Sequence, residues 1–264
     1  MQLSPKPRSS GFRLVVMFAA IAAIAAGSLG WYRATREGAG NDAVSAQLAH
    51  AGIDPAKRAA IEGLVRAYIL DHPEILPEAM DRLQVRETGE RLKPVRAALE
   101  TPFPGAVLGN PAGKVTLVEF TDFACTYCRG SVADINALIA ANPDLKVVLR
   151  ELPIIAPESE PAAKMALAAA AQGKYAAYHA AMFAGARPDA ASIAAAATRA
   201  GLDLDAARTF ARRPDVQQEI EHNLAFAHQL GISGTPAFAI GGQIIPGAVG
   251  KDKLQEAVDA ARKG

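Results

Sequence analysis

Val115-Thr116-Leu117-Val118-Glu119-Phe120-Thr121-Asp122-Phe123-Ala124-Cys125-Thr126-Tyr127-Cys128 is the stretch on which the fold turns. Val115 to Phe120 is rich in β-branched and aromatic residues and predicts a strand. It runs directly into a Cys-x-x-Cys, and Cys128 to Ala140 reads as a helix that Asn142-Pro143 ends. A strand that ends in Cys-x-x-Cys opening a helix puts Cys125 at a helix N-terminus. Unpaired N–H groups and the helix dipole there favour a thiolate, which is the reactive form. Cys125 is therefore expected to be a nucleophile toward disulfides. Cys128, one turn on, is placed to attack the resulting mixed disulfide. Thr126 and Tyr127 add no positive charge, which leaves the stabilisation to the dipole.

Outward from this stretch the pattern continues in α/β style. Leu145 to Leu152 is a second strand. About 80 Ala-rich helical residues follow, with one helix from Ser159 and Pro161, a second after Gly173, a third from Asp189 and a long one from Pro214 to Leu230-Gly231. Ala237 to Ile240 is a third strand, Gly241-Gly242 a hairpin turn, Gln243 to Pro246 a fourth strand, and Lys251 to Arg262 a closing helix. Strands joined by a long helical crossover are expected to be parallel. This order of elements fits a thioredoxin fold with a helical insertion at about 156–231.

Cys125 and Cys128 are the only two cysteines, so no disulfide framework exists. A bridge across so short a loop barely constrains the unfolded chain. A zinc site would need further ligands, yet the five histidines are scattered, and His222 and His228 are six apart, on different faces of a helix. No metal or cofactor is expected. A formal net charge of +1, from 28 basic and 27 acidic residues, gives no reason to expect nucleic acid.

Two further residues stand out. Glu119 is a carboxylate on an otherwise apolar strand, six residues before Cys125. It is either a proton acceptor beneath the cysteines or a residue on the strand's solvated side. Pro236, in Gly234-Thr235-Pro236, marks a strand start. It belongs either to an ordinary turn or to a cis-proline loop facing the cysteines.

The N-terminal part has a different character. Lys6, Arg8 and Arg13 precede an uncharged run from Leu14 to Tyr32, closed by Trp31, Tyr32 and Arg33. At roughly 1.5 Å per residue the run just spans a core of about 30 Å. Residues 1–37 thus read as a signal-anchor, with the N-terminus cytoplasmic and the rest outside the bacterial inner membrane. The alternative is a signal cleaved at Ala23-Ile24-Ala25, giving a soluble periplasmic protein. Either way the cysteines reach an oxidising compartment. Residues 38–105 read as a linker and a small helical extension. Asp54-Pro55 starts one helix bearing Ile61, Leu64, Val65, Tyr68 and Ile69 on one face. A second begins near Pro73 or Pro77 and carries Ile75, Leu76, Ala79, Met80 and Leu83, with Gly89 and Pro94 weakening or kinking the residues beyond. These apolar faces pack either on the neighbouring domain or on other copies of the chain through residues 46–100.

With Cys-x-x-Cys after a strand and Gly-Thr-Pro about 110 residues later, residues 106–264 resemble the DsbA-like family of periplasmic thiol–disulfide oxidoreductases. The resemblance rests on Glu119 to Cys128, Arg150-Glu151-Leu152-Pro153-Ile154, and Leu230 to Phe238. It implies that Pro236 is the cis-proline, that Thr235 offers backbone hydrogen bonds to a substrate peptide beside Thr126 and Tyr127, and that Glu119 is the buried acid. Tyr68 to Leu76 is similar to the N-terminal extension of the ScsC-type branch, which oligomerises in some members, and oligomers tend toward isomerase activity. The chain departs from the strongly oxidising pattern, with Thr126-Tyr127 in place of Pro-His and Thr before the proline. The implied function is oxidation, reduction or isomerisation of disulfides in exported clients with cysteines, with a membrane or periplasmic redox partner. The other readings are a membrane-tethered holdase and a copper-binding protein using the two thiols as soft ligands.

Overall fold

The computed structural model describes residues 44, 47, 48 and 50–263. The expected membrane segment at 14–32 lies outside them. Among the described residues no helix is long and apolar enough to cross a membrane. The chain divides into two compact units, one up to Pro77 and one from Glu78 onward.

In the first unit, helix α1 (Pro55–Asp71) starts as its sequence dictates. Asp54 caps it by accepting the Lys57 N–H at 2.9 Å, and Pro55 fills a first-turn position where no N–H is needed. His72 and Pro73 end it, because the residue before a proline is driven out of helical geometry. No residue of α1 is buried, and Leu64 and Tyr68 are 70% and 55% exposed. The boundary between the units falls within α2 (Ile75–Leu92). This helix runs through Gly89 and ends at Leu92, two residues before Pro94. A Cβ at Gly89 would stand 3.6 Å from the Gly242 carbonyl oxygen, an ordinary van der Waals contact with the β-hairpin.

The second unit is built on five strands: β1 (Val107–Gly109), β2 (Val115–Thr121), β3 (Leu145–Glu151), β4 (Ala237–Ile240) and β5 (Gln243–Pro246), in the order β1-β3-β2-β4-β5. β2 and β3 are parallel, in the register Val118↔Val148, and are joined by α4 (Thr126–Ala141). β2 is the middle strand and is covered on both faces, so it reads as a nearly continuous apolar run. Leu117, Val147 and Leu149 face one core with Cys128, Ile135 and Leu138 of α4 and with the closing helix α10 (Lys251–Ala261). Val118, Phe120 and Val148 face the other, with Leu92, with Leu99 of α3 (Arg96–Glu100), and with Ala227 and Leu230 of α9 (Pro214–Leu230).

The expected parallel arrangement fails across the helical block. β4 runs antiparallel to β2, with Glu119 opposite Phe238. The parallel rule describes a single crossover unit. Here five helices intervene: α5 (Ser159–Ala171), α6 (Tyr175–Ala184), α7 (Ala190–Arg199), α8 (Leu204–Ala211) and α9. They return the chain to the end of the sheet it left, near the cysteines. Gly231, at φ +72°, closes α9 in the left-handed conformation that glycine adopts at no steric cost. Three short elements went unread: β1, α3 and α8. β1 is three residues long and exists through its antiparallel pairing with β3, Leu108 opposite Val147.

Candidate active site

Cys125 is the N-cap of α4, in extended backbone at φ −79° and ψ 120°. Its Sγ lies 3.4 Å from the Cys128 N–H, which points at it as in an N-cap hydrogen bond. Negative charge on this sulfur thus meets an unpaired helix N–H. Cys125 Sγ is also 3.1 Å from the Thr235 carbonyl oxygen, to which its thiol donates. The Thr235–Pro236 peptide is cis, and the Thr235 contact sets the loop before β4 against the cysteine turn. Both cysteines are free thiols and are buried at residue level. Thr126 and Tyr127 face outward, with Tyr127 72% exposed. A groove of about 290 Å³ adjoins the loop, lined by Gly234, Thr235 and Pro236, with Ile244 and Arg91 among its other walls.

The turn is held by a residue the sequence reading passed over. Asp122 accepts the Ala124 N–H at 2.8 Å on Oδ1 and the Ile154 and Ile155 N–H groups at 2.8 and 2.9 Å on Oδ2. One side chain thereby ties the strand-to-helix turn to the loop after β3. The signal was available, since aspartate bonding the backbone two residues on is a turn former. Arg129 anchors the first turn of α4 from the other side, donating to the carbonyl oxygens of Phe183 and Gly185 at the end of α6.

Glu119 is buried, at 3% exposure, which removes the solvated-side reading. It alternates with Leu117 and Thr121 on the face of β2 toward α4. Among the described residues no cation or donor partners its carboxyl, and burial pushes its pKa up to about 8. Burial also pushes the Cys128 thiol well above its ordinary range, and the nearby Cys125 and Glu119 act in the same direction. Alongside lie groups that the sequence reading assigned no chemistry. Glu151 is fully buried at the end of β3 and accepts the Tyr175 hydroxyl at 2.6 Å. His179 is buried with its ring 5.9 Å from Tyr175, and burial pulls its pKa down to about 4.

The acid carries a stability signature. Glu119 is neutral in the fold up to about pH 8 but ionised in the unfolded chain above about 4.5. The fold therefore loses stability as pH rises between these values, by an amount of order a few kcal/mol. His179 acts oppositely, because a depressed histidine costs stability as pH falls from 6.5 toward 4. Comparing wild type with Glu119→Gln isolates the acid. The variant is expected to gain stability over wild type between pH 5 and 8 in thermal melts of the reduced protein, and parallel curves would place the carboxyl in contact with water.

The sequence and the structure both find relatives among known proteins. A family model described as DSBA-like thioredoxin domain matches residues 116–259, and one described as Copper resistance protein ScsC N-terminal domain matches residues 58–88. A thioredoxin-like oxidoreductase from Silicibacter pomeroyi is 39% identical, with a TM-score of 0.62 over 64% of this chain and 98% of that one. A linker-deletion and N6K mutant of Proteus mirabilis ScsC is 27% identical, also with a TM-score of 0.62, over 80% of this chain and 97% of that one. Among curated proteins, the Na(+)/H(+) antiporter NhaA of Herminiimonas arsenicoxydans is 28% identical over 190 residues, which are 69% of this chain and 30% of the antiporter. The chain spans less than a third of the curated relatives it matches.

Proposed function

The chain belongs to the DSBA-like thioredoxin family, and on that premise we propose that it is a thiol–disulfide oxidoreductase with Cys125 and Cys128 as its redox pair, acting on exported proteins that carry cysteines. The observation that carries the reading is Cys125 Sγ at a helix N-terminus, 3.4 Å from a backbone N–H and 3.1 Å from the carbonyl before Pro236. In the reducing direction the Cys125 thiolate bonds to one sulfur of a client disulfide, and the other client sulfur leaves with the electron pair. Cys128 then gives up its proton, bonds to Cys125 Sγ and releases the first client sulfur. The client gains two electrons and the cysteine pair loses them; oxidation of a client is the reverse. Thr235 and Pro236 supply the platform for the client peptide, with Thr126 and Tyr127 at its rim. Glu119 serves as proton acceptor for Cys128. A membrane or periplasmic partner resets the pair. Residues 1–37 deliver the domain to the periplasm as an anchor or a signal.

Equilibration with glutathione buffers tests the reading. One reversible two-electron transition between Cys125 and Cys128 is expected. A protein that stays dithiol across the range, while binding clients or copper, would be a holdase or a scavenger instead.

The helical extension within residues 46–100 is proposed to join copies of the chain. Its support is the apolar face of α1, Ile61, Leu64, Val65 and Tyr68, which is about half exposed or more. Burying each such side chain is worth roughly 1.5–3 kcal/mol. Light scattering on the exported part is expected to show a dimer or trimer that Leu64→Glu dissociates. A monomeric parent would end this proposal.

A further inference from the structure

Behind Cys128 the sheet carries a second buried carboxyl that the exchange steps above leave idle. In the parallel register Glu119 stands opposite Leu149 and Thr121 opposite Glu151. Glu119 and Glu151 therefore lie on adjacent strands, one pleat apart, on the same face of the sheet, the face that packs on α4 and Cys128. Glu151 is fully buried. Its Oε1 accepts the Tyr175 hydroxyl at 2.6 Å, and its Oε2 has no partner among the described residues. The neighbouring Arg150 does not serve it, because that guanidinium is spent on Glu219, Asn223 and backbone carbonyls. The other titratable groups facing Glu151 are Asp122 from the cysteine turn and Tyr175 and Tyr178 from α6, with His179 stacked on Tyr175. None of these supplies a cation. Two carboxyls on one dry face do not both ionise freely, so they titrate as a unit. Burial raises both, and the charge on Glu119 raises Glu151 further.

We infer that Glu151 is a positioning residue of the exchange reaction: it and Glu119 form one carboxyl pair behind Cys128 that stores the proton Cys128 needs, with Tyr175 holding Glu151 in place. This rests on Cys125 and Cys128 being the redox pair. In the oxidising direction a client thiolate sulfur bonds to Cys125 Sγ, and the Cys125–Cys128 bond breaks. Its electron pair leaves on Cys128 Sγ, which takes one proton from the carboxyl pair. The client's second thiol loses its proton to solvent, and its sulfur bonds to the first client sulfur. Cys125 leaves as a thiolate. The client is oxidised by two electrons, the cysteine pair is reduced by two, and the carboxyl pair is one proton poorer until solvent restores it. In the reducing direction the same pair takes the proton of Cys128.

The test is a pH titration of the full chain read by infrared spectroscopy, together with the single-turnover rate of Cys128 attack on a mixed disulfide. Above about pH 6 exposed carboxyls are ionised, so the protonated carboxyl stretch reports buried ones. Wild type is expected to titrate in two overlapping steps, Glu119→Gln and Glu151→Gln each in one, and the double variant in none. The rate profile should lose its upper step in Glu151→Gln, which moves its midpoint toward acid by about half a pH unit or more. A wild-type titration with one step that Glu151→Gln leaves unmoved would overturn the inference. Should Glu151→Gln not fold, Tyr175→Phe keeps both carboxyls and removes the hydroxyl that favours ionised Glu151. Its upper step should move toward base, and an unmoved step in folded Tyr175→Phe overturns the inference equally. Absence of any Cys125–Cys128 transition in wild type would instead sink the redox reading, because the carboxyl titration is read independently of it.

Discussion

Cys125→Ser should reduce disulfide exchange to the uncatalysed background, while Cys128→Ser should stall it halfway and accumulate mixed disulfides with clients. The asymmetry follows from geometry. Cys125 Sγ caps α4 and lies against the Thr235 carbonyl, beside the proposed platform for the client peptide, so it is the sulfur expected to form the intermolecular bond. Cys128 sits one turn down, at 1% exposure, and burial holds its thiol protonated at neutral pH. It is a poor nucleophile until a mixed disulfide stands above it and a base takes its proton. Serine at 128 leaves first attack intact and removes resolution, so trapped clients are covalent and released by reductant. Alkylation of the reduced wild type should be faster at Cys125 than at Cys128. Non-reducing electrophoresis with peptide mass mapping reads both results. Clients trapped through Cys128 in Cys125→Ser would reverse the assignment, and exchange that survives Cys125→Ser would remove it.

Much of this site was legible because its devices are local. Strand, Cys-x-x-Cys and helix follow one another without a break, and Gly-Thr-Pro announces the facing loop. Glu119 was visible as an anomaly, a carboxylate in an apolar strand, but its depth was not. A strand reading gives alternation, and only the second layer of helices decides that both faces are dry. Glu151 escaped for the same reason reinforced: at the last position of β3 a charged residue looks like the ordinary polar end of a strand. What buries it is Tyr175, from a helix 24 residues on, which no local pattern connects to it. Likewise the antiparallel entry of β4 depends on how five helices add up, and periodicity within each says nothing about their sum. Asp122 was recoverable from turn chemistry, but its bonds to Ile154 and Ile155 join segments 32 and 33 residues apart.

Arg150→Met should be the most destabilising single substitution away from the cysteines, costing about 3–5 kcal/mol. The side chain is 3% exposed and lies on the face of β3 opposite the active site. Its Nη2 donates to the carbonyl oxygens of Ala98 at 2.6 Å, Leu99 at 2.8 Å and Thr101 at 2.5 Å, and Nε donates to Leu99 at 3.1 Å. Nη1 binds Glu219 Oε1 at 2.6 Å and Asn223 Oδ1 at 3.3 Å, and the guanidinium lies 5.3 Å from the Phe226 ring centroid. The planar fork thus adds donors to the last carbonyls of α3, where helical partners run out, and pins that end to β3 and α9. Methionine fills similar volume but leaves three carbonyl oxygens and the Glu219 carboxylate without their donor. Unmade bonds at buried groups cost more than the bonds were worth. Lysine keeps the charge but cannot reach both sides at once, so Arg150→Lys should fall between. Adding Glu219→Gln to Arg150→Met should recover part of the loss, because it removes the stranded charge. Urea unfolding measures all four proteins. A loss under about 1 kcal/mol for Arg150→Met would show that water replaces the guanidinium at no great cost. The folded fraction of each variant should keep the wild-type rate of exchange, since the sheet separates Arg150 from Cys125 and Cys128.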